Sequence, residues 1–204
     1  MKVDNKIVVF DFDGTITRTD TFFLFLKDYL SFGKLVALYF VFSPLLFLGV
    51  LNIYSRSKIK EKICKFCFSK QSVFEFNKCC YDFCDRHFED IVFKKARETI
   101  TEYIAKKCEI LIISASIENW VVPFALRLGI PAQNVLATKL EVDDIGNLTG
   151  CFQGKNCKGI EKVVRLNQYL GGKADDRWII AYGDSKGDKE LLSVSNESYY
   201  RYFN

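Results

Sequence analysis

Three short apolar runs stand out along the chain, and each is followed by polar residues. A run of this length is typical of a strand that is buried on both faces of a parallel sheet. The runs occupy residues 6–10, 109–113 and 178–182. Two further extended segments, 135–142 and 148–152, flank turn-forming residues and predict a hairpin.

Apolar residues at helical spacing predict the remaining elements. Residues 117–128 and 159–170 fit single helices, whereas the longer block 21–97 is helical with few turn signals. Because helices separate the strands, the sequence predicts an α/β fold: a Rossmann-like parallel sheet with helices on both faces. The block 21–97 then forms an inserted, all-helical cap domain, and residues 1–20 and 98–204 form the core domain.

The composition is that of a folded globular protein. Hydrophobic residues make up 49% of the 204 positions, which excludes a disordered chain. The net charge is only +4 and the basic residues are dispersed, so we expect no nucleic-acid partner. The apolar start at 7–10 is too short for a secretory signal and is interrupted by Asp11, so we expect a cytoplasmic protein.

The eight cysteines have two interpretations. In a cytoplasmic chain of this size we expect reduced thiols that pack as small hydrophobic side chains. Their spacing also permits a zinc site, because two of them have C-x-x-C spacing and a later group lies on one face of a predicted helix. The zinc ligands would be Cys64, Cys67, Cys80, Cys84 and His87.

The first predicted strand ends in two carboxylates. Asp11 and Asp13 are separated by one residue, so on an extended segment both side chains point the same way. In open α/β sheets, ligands bind just outside the carboxyl ends of the strands, and Gly14 permits a sharp turn there. A calcium loop that begins at Asp11 needs a Glu at its twelfth position, which is Phe22, so that interpretation fails.

Polar groups follow the other predicted strands as well. Ser114 ends the second strand, Asp184 follows the third, and a lysine near the start of helix 159–170 completes the set. Carboxylates suit Mg²⁺, an aspartate can attack phosphorus, and a lysine can neutralise a phosphoryl group in transfer. Apolar residues follow Lys162 at buried helical spacing, which favours this lysine, and Lys158 is the alternative.

Together these motifs resemble those of the haloacid dehalogenase superfamily of phosphohydrolases. The first motif is similar to residues 11–15, the second to 112–116 and the fourth to 183–188, with the lysine as the third. Each motif alone is weakly specific, but four in order across residues 7–192 are strongly specific. The resemblance implies a Mg²⁺-dependent phosphomonoester hydrolase that works through an aspartyl-phosphate intermediate.

The resemblance also implies a role for each residue. Asp11 is the expected nucleophile, and Asp13 is the expected general acid and base. Ser114 and the backbone N–H of the next residue, Ala115, are expected to hold the phosphoryl group together with the lysine. The implied ligands of Mg²⁺ are Asp11, Asp13 through its main-chain carbonyl, Asp184 and Asp188.

The helical insert lies between the first and second motifs, which resembles the phosphoserine-phosphatase-like branch of the superfamily, subclass IB. Asp20 stands where amino-acid phosphatases of this branch carry a substrate-binding Glu. This change, together with the different cap sequence, argues against phosphoserine as the substrate. Two other functions stay open: phosphoryl transfer to an alcohol, and a membrane-surface binding module with a vestigial catalytic set.

The insert contains a long run, residues 35–54, without a charged residue. It is long enough to be a transmembrane candidate, but a span would place Asp11 and Ser114 on opposite sides of the membrane. We expect Pro44 to break the run into halves that are each too short to cross. The run then has three interpretations: a peripheral contact with the inner face of the membrane, the buried seam of the cap, or the lining of an apolar substrate pocket.

The cap also resembles that of the bacterial phosphatidylglycerophosphatases in the same branch. This makes a lipid phosphate a candidate substrate beside a small phosphorylated molecule. Residues 29–60 contain no acid, so a membrane contact would bring basic residues near anionic headgroups. Arg56, just after the run, is a candidate ligand for a substrate anion, and a solvated helix end is the alternative.

Overall fold

The fold is built on one parallel sheet, which the computed structural model shows over the described residues 5–51, 53–172 and 177–204. The strands are β1 (Lys6–Phe10), β2 (Glu109–Ile117), β3 (Val135–Thr138), β4 (Leu140–Val142), β5 (Leu148–Phe152), β6 (Trp178–Gly183) and β7 (Glu197–Tyr200). Five of them form the parallel sheet in the order β3-β2-β1-β6-β7. The strand order therefore reverses beside β1, which is where such sheets bind ligands.

Helices follow the strands and fill the long interval between β1 and β2. They are α1 (Thr21–Tyr29), α2 (Phe32–Val50), α3 (Arg56–Phe68), α4 (Val73–Ile91), α5 (Lys94–Ala105), α6 (Glu118–Arg127), α7 (Ile160–Tyr169) and α8 (Lys189–Ser193). Short 3₁₀ turns lie at Ala132–Asn134 and Lys186–Asp188.

Both faces of the sheet are covered, as predicted. Val8 and Phe10 of β1 belong to the larger hydrophobic cluster, which includes residues of α5 and α6. Ile7 and Val9 belong to the second cluster, with residues of α7 and α8. Because β1 is buried on both sides, its sequence is a continuous apolar run without alternation.

Helices α1–α4 form a layer whose aromatic core is continuous with that of the sheet. The ring centroid of Phe25 lies 5.2 Å from that of Phe83 and 4.6 Å from that of Trp120, which belongs to α6. Helix α5 packs against β2, so the boundary that the sequence placed between residues 97 and 98 falls inside a helix of the sheet layer.

Three features of the strands differ from the sequence-based prediction. Residues 135–138 join the parallel sheet as β3, so only β4 pairs with β5 in the antiparallel hairpin. β2 continues to Ile117 because the polar segment after Ile113 stays extended. The edge strand β7 has no predicted counterpart, since its alternating burial leaves no continuous apolar run.

Helix α2 runs without interruption through Pro44, so the expected division into two halves is wrong. Proline removes one backbone donor from the helix. The hydroxyl of Ser43 donates at 3.5 Å to the carbonyl oxygen of Phe40, four residues before the proline, and so satisfies it. By length and composition, α2 is the one helix among the described residues that could cross a membrane.

Most of α2 is exposed, so it is not the buried seam of the helical layer. Three of its 19 residues are buried, and most of the others face outward. The buried residues are Leu38, Phe42 and Gly49.

Candidate active site

The carboxyl ends of β1, β2 and β6 border one cavity of about 560 Å³. It lies beside β1, at the position where the strand order reverses. Every site residue predicted from the sequence lines it, including both candidate lysines. These residues are Asp11, Asp13, Asp20, Arg56, Ser114, Ala115, Lys158, Lys162, Asp184 and Asp188.

A buried ion-pair network holds Asp11. Lys162 Nζ lies 2.5 Å from Asp11 Oδ1 and 2.5 Å from Asp188 Oδ1. Burial raises the pKa of the Asp11 carboxyl to about 7, although the charge of Lys162 opposes this effect. Burial lowers the pKa of Lys162, but the two carboxylates outweigh burial and raise it above its usual value. Lys162 therefore orients two carboxylates at once, whereas the side chain of Lys158 lies beside Gly187.

Asp188 is fixed by the turn that follows β6. Its Oδ2 accepts hydrogen bonds from the backbone N–H of Ser185 at 3.0 Å and from the Ser185 hydroxyl at 2.8 Å. Burial raises the pKa of Asp188, but the charge of Lys162 and these hydrogen bonds outweigh burial and lower it below its usual value. Asp188 is therefore an ionised partner that positions Lys162.

The carboxylates of Asp11, Asp184 and Asp188 converge, with one oxygen from each within 4.8 Å of the others. Asp184 Oδ1 is buried and has no hydrogen-bond partner within the part of the chain that the structure describes. Burial, followed by the charge of Asp188, raises the pKa of Asp184. Converging hard oxygen donors with a net negative charge fit Mg²⁺.

Gly14 allows Asp184 to approach the end of β1. Its φ is +78°, which favours glycine, and a Cβ at this position would stand 2.3 Å from Asp184 Oδ2. A side chain at residue 14 would therefore displace the carboxylate of Asp184.

Asp13 is held from two elements. Its Oδ1 accepts from the backbone N–H of Thr21 at 2.9 Å and from the Thr21 hydroxyl at 2.6 Å, and its Oδ2 accepts from the Ser116 hydroxyl. Burial and the charge of Asp20 raise the pKa of Asp13, while these hydrogen bonds lower it. The backbone N–H of Ser116 also donates to Ser114 Oγ at 3.0 Å.

The sequence analysis missed both partners of Asp13. The serine has a signal: it lies two positions after Ser114 on an extended segment, so both side chains share one face. Thr21 has none, since nothing in the sequence shows that the first turn of α1 returns to the end of β1.

Lys60 is a further cavity residue that the sequence analysis did not select. Its Nζ donates to the carbonyl oxygen of Ala115 at 2.8 Å and lies 4.7 Å from the ring centroid of Phe22. Burial lowers the pKa of Lys60. Its signal in the sequence is the spacing of four residues from Arg56, which places both on one face of α3.

Arg56 and Asp20 have local structural contacts as well as positions on the cavity wall. Arg56 Nε donates at 3.0 Å to the carbonyl oxygen of Gly49, near the end of α2. Asp20 is the N-cap of α1, where its Oδ1 accepts from the backbone N–H of Phe22 at 2.9 Å. Their contact with a substrate stays a prediction.

Helices α1, α2 and α3 give the cavity an apolar wall. The wall faces the charged strand ends, so the cavity joins two chemically different regions. The apolar wall consists of Phe22, Phe23, Leu46, Val50, Ile59 and Ile63.

The cysteines do not form the zinc site that their spacing permits. Among the described residues, the carboxylate cluster is the one group of potential ligand atoms close enough to share a metal ion. Burial raises the pKa of Cys64, Cys67 and Cys84 to about 12. These thiols pack in the hydrophobic core as small apolar side chains.

A family model described as haloacid dehalogenase-like hydrolase matches residues 8–193. The chain belongs to this family. The matched range runs from β1 to the end of α8 and contains every residue of the carboxylate and lysine network. The resemblance noted in the sequence is thereby confirmed.

Individual relatives and solved structures are similar to this haloacid dehalogenase-like chain over most of its length. Protein CicA of Caulobacter vibrioides (strain NA1000 / CB15N) is 33% identical over 201 residues, which cover 97% of this chain and 86% of CicA. A protein of unknown function from Bordetella pertussis Tohama I has a TM-score of 0.84 and 21% identity, with coverages of 96% and 89%. A substrate-bound phosphoserine phosphatase has a TM-score of 0.63 and 17% identity, with coverages of 97% and 86%.

The solved structures share the fold, and the family shows the chemistry class. The chain is a haloacid dehalogenase-like hydrolase, and it shares its fold with solved phosphoserine phosphatases.

Proposed function

We propose that the protein is a Mg²⁺-dependent phosphomonoester hydrolase in which Asp11 carries the phosphoryl group. The observation that supports this most directly is the setting of Asp11: buried at the end of β1, 2.5 Å from Lys162, and beside two further carboxylates. Because Lys162 holds Oδ1, we assign the attack on phosphorus to Oδ2. A plain strand-to-loop turn, the alternative, does not explain why two buried acids and one half-buried acid lie close to one lysine.

The reaction takes two steps on these residues. Asp11 Oδ2 bonds to phosphorus while the bond from phosphorus to the leaving oxygen breaks, and Asp13 gives that oxygen a proton. Water then attacks phosphorus, Asp13 takes a proton from it, and phosphate leaves as the Asp11 carboxylate is restored. Thr21 and Ser116 hold Asp13 in place for both transfers. Ser114 and Lys162 position the phosphoryl oxygens.

Asp11, Asp184 and the main-chain carbonyl of Asp13 are the proposed ligands of Mg²⁺. The partnerless Oδ1 of Asp184 supports this assignment. Asp188 is assigned a supporting position, because its oxygens already accept from Lys162 and Ser185. When bound, Mg²⁺ neutralises charge on the phosphoryl oxygens.

In this proposal α1–α4 form a cap domain, and the apolar wall receives the leaving group of the substrate. Phe22, Leu46 and Val50 offer an apolar surface to a leaving group, while Asp20 and Arg56 line the same cavity. We therefore propose a phosphomonoester of an apolar or amphiphilic alcohol, a lipid phosphate being the main candidate. The free cysteines agree with a reducing, cytoplasmic compartment.

The test is release of inorganic phosphate with and without Mg²⁺ by the wild type and by Asp11→Asn. The substrates are an aryl phosphate, phosphoserine, sugar phosphates and a short-chain phosphatidylglycerophosphate. We expect Asp11→Asn to lose about a thousandfold or more in kcat/KM, because an amide cannot attack phosphorus. Asp144→Asn, at an exposed turn of the hairpin, is the control and should retain activity.

Metal-dependent release that survives in Asp11→Asn would overturn the mechanism. A new phosphoester in the presence of an added alcohol would identify phosphoryl transfer instead of hydrolysis. No release from any substrate by a folded wild type would favour a binding role.

A further inference from the structure

Helix α2 carries an apolar stripe on the surface of the protein, interrupted by the exposed Ser43. Exposed residues recur along it at intervals of three, four and seven, so they share one helical face. The face opposite to them contacts the rest of the protein through Leu38 and Phe42. The apolar stripe consists of Phe32, Val36, Tyr39, Phe40, Phe47 and Val50.

An exposed apolar surface of this length marks an interaction site. The charges around it indicate which partner fits. No acid occurs from residue 29 to residue 60, whereas Arg56, Lys58 and Lys62 are all exposed just beyond the end of α2. The next acid, Glu61, turns toward the hairpin, where it accepts from the backbone N–H of Phe152 at 2.9 Å.

We propose that the apolar stripe docks α2 in the plane of an anionic lipid surface, with the basic residues beside it at the headgroups. An apolar face flanked by uncompensated positive charge is the pattern of an interfacial helix. The contact is peripheral because both neighbours of α2 are anchored in the same core, through Phe25 of α1 and Ile63 of α3. A span would have to remove Phe42, which is buried in that core, and would break its contact with Phe66 of α3, whose ring centroid lies 5.7 Å away.

The apolar stripe lies next to the active-site cavity. Val50 belongs both to the apolar stripe and to the cavity wall, and Phe23, which is also partly exposed, lines the cavity too. A bilayer on the stripe therefore meets the apolar wall of the cavity, so an amphiphilic substrate reaches Asp11 with its hydrocarbon part shielded from water. This consequence for the substrate rests on the proposed function, whereas the docking does not.

The test is co-sedimentation of the full chain with phosphatidylcholine vesicles, either neutral or with about a third of phosphatidylglycerol. We expect the wild type to bind the anionic vesicles about tenfold more tightly than the neutral ones. Phe40→Glu should weaken this binding about tenfold or more, because it places a charge in the apolar stripe. Phe74→Glu is the matched control: Phe74 is 72% exposed and lies in α4, while Phe40 is 84% exposed.

Hydrolysis of the soluble aryl phosphate by all three proteins tests folding and the proposed function without vesicles, so its result is independent of vesicle binding. Equal turnover with selective loss of vesicle binding in Phe40→Glu is the expected result.

No binding by the wild type, or equal binding by Phe40→Glu and Phe74→Glu, would overturn the docking surface. Equal binding to both vesicles would overturn the choice of an anionic surface. A lipid-free dimer that Phe40→Glu dissociates would assign the stripe to a second copy of the chain. Vesicle binding without turnover would leave the docking intact and count against the hydrolase.

Discussion

Lys60 connects the helical layer to the end of β2 that we propose to bind the phosphoryl group. Its hydrogen bond to the carbonyl oxygen of Ala115 links α3 to the segment beside Ser114. We expect Lys60→Met to lower kcat/KM about tenfold, because a charged hydrogen bond is lost while the aliphatic chain is kept. Steady-state kinetics on a soluble aryl phosphate measure this loss.

Lys58→Met is the control, since Lys58 is exposed on the same helix and does not line the cavity. An equal loss in both variants would show that general positive charge near the cavity matters, and that the contact of Lys60 does not.

At the scale of elements, Gly150 sets the distance between the hairpin and α3. A Cβ at Gly150 would lie 2.4 Å from Lys65 Cα, whereas a Cβ at Gly146 would meet no atom within 4 Å. Both glycines have positive φ, so alanine strains the backbone similarly at each position. We expect Gly150→Ala to lower the free energy of unfolding by about 1–3 kcal/mol more than Gly146→Ala. Chemical denaturation measures the difference, and equal losses would contradict the close contact.

The elements also show where local patterns mislead. Pro44 predicts a helix break, but α2 continues through it, and the Ser43 hydroxyl donates to the carbonyl oxygen of Phe40 that the proline leaves unpaired. The extended segment at 135–142 looks like one strand, yet its first part pairs with β2 and its last part with β5. Pairing partners distant in the sequence make that division, so no local pattern reports it.

For the whole molecule, stability should depend on Mg²⁺. Three carboxylates meet near one lysine, and burial opposes the ionised forms of Asp11 and Asp184, so a bound cation stabilises the folded chain. We expect saturating Mg²⁺ to raise the melting temperature by about 5 °C in the wild type and by far less in Asp184→Asn. Calorimetry with Mg²⁺ or with a chelator measures the shift without an activity assay. An unchanged shift in Asp184→Asn would exclude Asp184 as a ligand.

The sequence by itself determined the α/β class, the parallel sheet and the acids at its edge. Strands that are buried in a parallel sheet have continuous apolar sequences, which makes them visible in the sequence. The residues that follow such strands meet at one edge of the sheet, so the order of the motifs was sufficient to bring the acids together. The ten site residues that it selected all lie on the wall of the cavity.

Only the tertiary structure decided which groups contact these site residues. The contacts of Lys60 with Ala115 and of Lys162 with Asp11 depend on the packing of elements that are far apart in the sequence. The contact of Thr21 with Asp13 depends on how α1 returns to the end of β1. The exposure of α2 was likewise undecided, because an apolar helix has the same composition whether it is buried or faces outward. Periodicity reports which residues share a face, whereas the neighbouring elements determine what that face meets.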